Sequence, residues 1–287
     1  MNRLKTTALL GLLTALLLWM GQALGGSTGL AMALLMAGAM NFASYWWSDK
    51  IVLAMSGAKP LGEREAPDLH RMVRTLSIKA AIPVPRLYRL AQAAPNAFAT
   101  GRDPAHGAVA VTEGLLASLD RAEIEGVLAH EIGHIKNRDT LTMTVAAALG
   151  GALSMLADMA LWATLAGRSS SDNDEGGHPL AGLVGVIVAP LAALLIQAAI
   201  SRSREFDADE AAARLSGNPR ALASALLKIE AMAKRKALPT SPTAAHLFIV
   251  NPLRGGGLSG LFSTHPATRE RVKRLEALAR EGLSWAA

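Results

Sequence analysis

The chain has no cysteine among its 287 residues, which removes thiolate catalysis, cysteine-based zinc sites and disulfide scaffolds together. Charge is scarce as well. Only 18% of residues are charged, where a soluble domain carries about a quarter. Aromatics are down to 4%. With 51% hydrophobic residues and a mean hydropathy of +0.27, this composition excludes a disordered chain and points to a membrane. The net charge of +6 is small for the length, and the basic residues sort by membrane side, so no nucleic-acid partner is expected.

Long uncharged runs set the organisation. No charge occurs between Lys5 and Asp49, a stretch long enough for two membrane helices of about 20 residues each. The spans are predicted at Thr7–Leu24 and Gly29–Trp47, joined by a turn-prone Gly/Ser/Thr segment at 25–29. Trp46 and Trp47 stand at the far end, where an aromatic belt belongs. A third run, Thr140–Gly167, holds one charge, Asp158; a fourth, Pro179–Ser201, holds none. Asp158 is expected to face other spans, an entry path or the outer interface, because a charge in lipid costs about 2.5–3.5 kcal/mol. The alternative for residues 1–24 is a secretory leader, but the second apolar run makes a membrane protein either way.

Lysine and arginine placement orients the spans. The N-terminal tail has two and the 25–29 turn none; the 168–178 loop has one Arg against three acids. Twelve lie in 48–139 and fourteen in 202–287. Both termini and both of those segments are therefore expected in the cytoplasm, folded together as one polar α+β unit. The predicted organisation is 1–48 as two transmembrane helices, 49–139 as a first cytoplasmic part, 140–201 as a transmembrane hairpin and 202–287 as a second cytoplasmic part. Within 49–139, helical spacing of Leu69, Met72, Val73 and Leu76 predicts a helix over 63–80. Short strands are predicted at Arg86–Leu90, Ala97–Thr100 and Ala108–Thr112. Asp120 with Glu123 forms a capping box, opening a helix expected to run on toward the third span.

That helix carries His130-Glu131-Ile132-Gly133-His134, an HExxH sequence. Positions i and i+4 share a helix face, so both imidazoles can reach one metal, with Glu131 about 100° around the helix and beside it. The alternative is a pair of surface histidines. A catalytic zinc needs a third protein ligand, and no histidine follows at metzincin spacing in 135–140. An antiparallel pair of spans would return the chain to the leaflet it left, bringing residues 202–210 to the histidines. Glu205 is the favoured third ligand, with Asp207 and Glu210 as rivals, and Asp209 would hold the far N–H of a ligand imidazole. An ordinary acidic helix start is the plainer alternative.

These motifs, HExxH before an apolar hairpin and then Ser201-Arg202-Ser203-Arg204-Glu205-Phe206-Asp207-Ala208-Asp209, resemble the HtpX family of membrane-embedded zinc metalloproteases, relatives of the CAAX prenyl proteases. The resemblance covers nearly the whole chain. It implies a four-helix membrane protein with a cytoplasmic α+β zincin-type (gluzincin-like) protease domain in the bacterial inner membrane. It also implies one Zn2+ per chain and cleavage of misfolded or damaged membrane proteins, and residues 95–101 resemble the family's substrate-side strand. Asn96, Ala97, Phe98 and Ala99 are therefore expected to bind an extended peptide by strand addition, a plain hairpin strand being the alternative. His265 and Arg271 match the family's C-terminal motif and are candidates to stabilise an oxyanion; a helix N-terminus with Pro266 in its first turn is the other reading. Glu131 is the expected general base. Self-cleavage is expected where cytoplasmic loops lie near the site. A divalent-metal transporter or a non-catalytic scaffold are the competing functions, but transport sites sit near the bilayer midplane, where this chain has no histidine.

Overall fold

The computed structural model describes residues 2–143, 145, 202–235, 249 and 266–281. Asp158, His265, the 168–178 loop, the fourth apolar run and all but the start of the third lie outside the described residues.

The first apolar run is helical throughout as α1 (Asn2–Trp46). A straight helix of that length would hold residues 27 apart at about 40 Å. Instead Asn41 Nδ2 donates to Thr14 Oγ1 at 2.8 Å. The reversal falls at Gly26, whose φ of +55° is a left-handed conformation that glycine adopts freely. Among the described residues, Gly26–Ala43 is the stretch long and apolar enough to cross a membrane. Helix α2 (Ser48–Met55) leads from it into the polar body.

The body contains a four-stranded sheet in the order β1-β2-β4-β3: β1 (Lys59–Pro60), β2 (Arg86–Leu90), β3 (Ala97–Thr100) and β4 (Ala108–Thr112). β2 and β4 are parallel, while β3 pairs antiparallel with β4 and forms an edge. The three predicted strands match β2, β3 and β4. Helix α3 (Pro67–Ala80) starts four residues later than expected, because Gly62–Ala66 close a turn (Glu65 N to Gly62 O, 3.1 Å) and Pro67 is suited to a first helical position.

After α4 (Glu113–Ser118) comes α5 (Arg121–Lys136), opened by the reciprocal Asp120–Glu123 capping box. It does not run on into the next apolar segment. Arg138 turns left-handed (φ +59°), and the Arg138 and Asp139 N–H groups donate to the Ile135 and His134 carbonyls, closing a Schellman motif. Three further helices, α6 (Arg202–Ser216), α7 (Pro219–Arg235) and α8 (Thr268–Arg280), complete the described body. α5 lies at its centre, packed on α6, α7, α3 and β3. Leu128, Ile132 and Ile135 of α5 are fully buried with Leu76, Leu222 and Leu226.

Candidate metal centre

The two histidines of α5 point the same way because they are four residues apart. Their Nε2 atoms approach to 3.2 Å. Glu205, on the first turn of α6, closes the set: its Oε1 lies 3.5 Å from His134 Nε2 and its Oε2 3.7 Å from His130 Nε2. All three residues are buried, and their ligand atoms lie within 4.8 Å of one another. Gly133, between the histidines, permits this approach. A methyl group there would stand 3.1 Å from Ala211 Cβ and 3.3 Å from the Ala208 carbonyl, so a side chain would push α6, and Glu205 with it, outward.

The donor set suits a catalytic zinc, which takes three N/O protein ligands and keeps a fourth position open. With bonds of about 2.0–2.1 Å, tetrahedral ligand atoms stand about 3.3–3.4 Å apart, and the two Nε2 atoms already stand at nearly that separation.

Each imidazole is held from its far side. Asp209 Oδ1 lies 3.0 Å from His130 Nδ1, the contact expected from its spacing with Glu205. Asp139 Oδ2 lies 3.3 Å from His134 Nδ1. Sequence reasoning missed Asp139. The signal was an acid five residues beyond His134, but only the left-handed turn at Arg138 folds it back onto the ring.

Arg271, a candidate to stabilise an oxyanion, lies beside the triad. Its guanidinium is buried and grips Asp209 in a fork, Nε to Oδ2 at 2.8 Å and Nη2 to Oδ1 at 2.7 Å. Nη1 donates to the Ile249 carbonyl at 2.9 Å and lies 3.5 Å from Glu205 Oε2. These contacts tie the arginine to the protein's own acceptors, and Nη2 also lies 3.4 Å from His130 Nε2. Arg204, beside Glu205, is also buried, with both Nη atoms lacking a hydrogen-bond partner among the described residues, in the field of Asp139 and Glu205. It too was missed.

Glu131 is buried next to this set. Burial pushes its carboxyl up to about 7, with the Glu205 charge adding, although the Ala99 N–H donates to it. Burial and the neighbouring Arg271 push His130 down to about 4. For His134, burial acts downward but the Asp139 hydrogen bond and the Glu205 and Glu131 charges prevail, lifting it to about 9. Burial opposes the ionised form of Asp209, but Arg271 holds it below the usual carboxylate range.

β3 meets the site through Ala99. Thr112 N donates to the Asn96 carbonyl, so by antiparallel alternation Phe98 and Thr100 face β4 while Ala97 and Ala99 turn their backbone groups outward. Asn96 is buried and fixes a distant segment by accepting the Ile249 N–H at 3.0 Å.

Residues 63–279 match the family model for peptidase family M48. A protein named Protease HtpX homolog from Syntrophobacter fumaroxidans is 53% identical over 280 residues, covering 96% of this chain and 99% of that relative. Protease HtpX of Legionella pneumophila subsp. pneumophila is 51% identical with the same coverage. Among solved structures, the crystal structure of S. mikatae Ste24p superposes with a TM-score of 0.50 at 16% identity, covering 96% of this chain; the chain spans 65% of that protein's length. The likeness to Ste24p is one of fold. The transporter and scaffold readings find no support among these relatives. A metal-binding triad of two histidines and a glutamate in the centre of the body agrees with them, and the chain belongs to peptidase family M48, among the HtpX membrane metalloproteases.

Proposed function

We propose that the chain is a zinc-dependent endopeptidase built into the bacterial inner membrane by four spans, cutting misfolded or damaged membrane proteins at its cytoplasmic face. The observation that carries the site assignment is the convergence of His130, His134 and Glu205, all buried, with their ligand atoms within 4.8 Å of one another. A zinc ion held there would supply Lewis acidity toward a carbonyl and toward water. The remaining work falls to the chain. Glu131 takes a proton from the attacking water and passes it to the leaving amine, a role suited to a carboxyl poised near neutrality. Asp209 and Asp139 fix the tautomers of His130 and His134, so that each ring offers Nε2 inward. Arg271 acts as a positioning residue through Asp209. Oxyanion stabilisation is assigned to His265 or Arg271, the pair matched by the family's C-terminal motif.

An extended substrate segment adds to the outer edge of β3 along Asn96–Ala99, Ala97 offering its outward backbone groups while the Ala99 N–H is held by Glu131. Backbone pairing reads no side chain, which suits a protease for unfolded chains, its own loops included. The two apolar hairpins (1–48 and 140–201) are assigned to the membrane and 49–139 with 202–287 to the cytoplasm, on the lysine and arginine placement.

The test uses purified full-length protein in detergent with an unfolded protein substrate. Cleavage is expected to stop on chelation and return with added zinc. Glu131→Gln is expected to lose about 10²–10⁴-fold in rate while retaining its zinc. Full activity in that variant removes the proposed base, and cleavage that persists without metal removes the mechanism.

A further inference from the structure

Where α1 meets the body, a cleft of about 540 Å³ lies outside the metal centre. Phe42, Trp46 and Trp47 form its apolar wall, with Phe42 and Trp47 edge-to-face at 5.9 Å. Lys50, Arg86 and Arg102 line the other side, against a single lining acid, Asp49. Arg86 and Arg102 are held in place, and Lys50 is exposed. Arg86 Nη2 donates to Asp49 Oδ2 at 2.5 Å. Arg102 lies over the Trp46 ring at 4.9 Å and donates to the Trp46 carbonyl at 3.3 Å. Its other terminal nitrogen meets His106 Nε2, and His106 is oriented by Asp103, which accepts at Nδ1 (2.7 Å) and at the backbone N–H (3.0 Å). Asp103 also faces Arg102 Nε at 3.5 Å.

The cleft therefore carries two net positive charges from its lining Lys, Arg and Asp side chains. Three residues before Trp46, the apolar stretch Gly26–Ala43 ends. A cationic cleft with an indole wall, continuous with an exposed apolar helix, matches a ligand that is anionic at one end and hydrocarbon at the other. We propose that this cleft binds the phosphodiester headgroup of an anionic phospholipid, with its acyl chains along the exposed apolar face of α1. The proposal rests on the reading that α1 is inserted in a bilayer. A free phosphate would satisfy the cations but leave the aromatic wall without a partner.

Full-length protein in neutral detergent is titrated with phosphatidylglycerol or phosphatidylcholine of identical acyl chains, with binding read by indole fluorescence and native mass spectrometry. Wild type is expected to favour phosphatidylglycerol, and Arg102→Gln and Lys50→Gln to weaken its binding about fivefold for each charge removed. A charge-matched pair on α8, Arg269→Gln with Lys273→Gln, keeps the wild-type preference. Equal affinity for the two lipids, or a preference that survives the cleft substitutions, overturns the proposal; so does inorganic phosphate binding as tightly as phosphatidylglycerol. Should Arg102→Gln fail to fold, exposed Lys50 carries the same test alone. Flotation with phosphatidylcholine vesicles, comparing wild type with Leu35→Asp, reads the insertion of α1 separately, so its failure is distinguishable from loss of lipid selectivity.

Discussion

The N-terminal hairpin and the helical body break the usual surface rule in opposite directions. On α1, Leu35 is 70% exposed and Met32 64%. In the body, Arg271 and Glu205 are 1% exposed and Asp209 2%. An exposed apolar face on that scale needs a lipid or protein cover, whereas a buried charge is tolerated only with a partner in good geometry. The hairpin is thus stabilised by what surrounds it, and the metal centre by what it contains. Substitutions that alter charge should therefore hurt the two regions for different reasons.

The largest effect is expected in the body. Asp209→Ala leaves the Arg271 guanidinium buried without its carboxylate, at a cost of about 3–5 kcal/mol, visible as a large fall in Tm. Asp209→Asn should preserve more stability but lower metal affinity about 10–100-fold, because a neutral amide replaces the carboxylate that accepts from His130. An unchanged Tm in Asp209→Ala would mean the fork is not holding the site.

On the hairpin, Leu35→Asp should oppose membrane insertion by about 2.5–3.5 kcal/mol, read as a lower membrane-bound fraction than for Leu35→Ala. The same change at Ile78, 72% exposed on α3, should cost under about 0.5 kcal/mol. Equal effects at the two positions would erase the distinction between the regions.

Acidity sharpens it further. His134, held up at about 9 by its carboxylate neighbours, must lose a proton before Nε2 can ligate, so proton and metal compete. Apparent metal affinity should rise about tenfold per pH unit from pH 7 to 9, measured against a competing chelator. Hydrolysis should fall as pH drops below about 7, where Glu131 becomes protonated and can no longer act as a base. The smallest effect belongs to the α5 cap: Asp120→Ala should cost about 1 kcal/mol, a Tm shift of a few degrees, with metal content unchanged.

Legibility in the sequence followed the range of the interaction. The capping box, the strand limits around β2, β3 and β4, and the shared face of His130 and His134 are set by neighbours a few residues apart, and all could be read. The break after α5 could not. Asn137-Arg138-Asp139 contains no glycine to announce a left-handed residue, and that turn decides both the end of the helix and the placement of Asp139. Glu205 was reachable because the hairpin predicted for the uncharged runs at 140–201 would return the chain to where it left. Arg271 was legible as a member of the site but not in its contacts. Its motif marks the position, while only the placement of Asp209 and the Ile249 carbonyl shows where its donors go.

The order of residues alone therefore determined a chain with a lipid-seeking start, a capped helix bearing two imidazoles on one face, and an acidic turn able to meet them. Periodicity, capping and hydropathy act along the chain and leave their marks in it. Which carboxylate faces the two Nε2 atoms, which one steadies each ring, and which acceptors the arginine grips were decided by packing. Those outcomes depend on separations of a few tenths of an ångström between α5, α6 and α8, such as the space left by Gly133, and distances between helices are not written in any one of them.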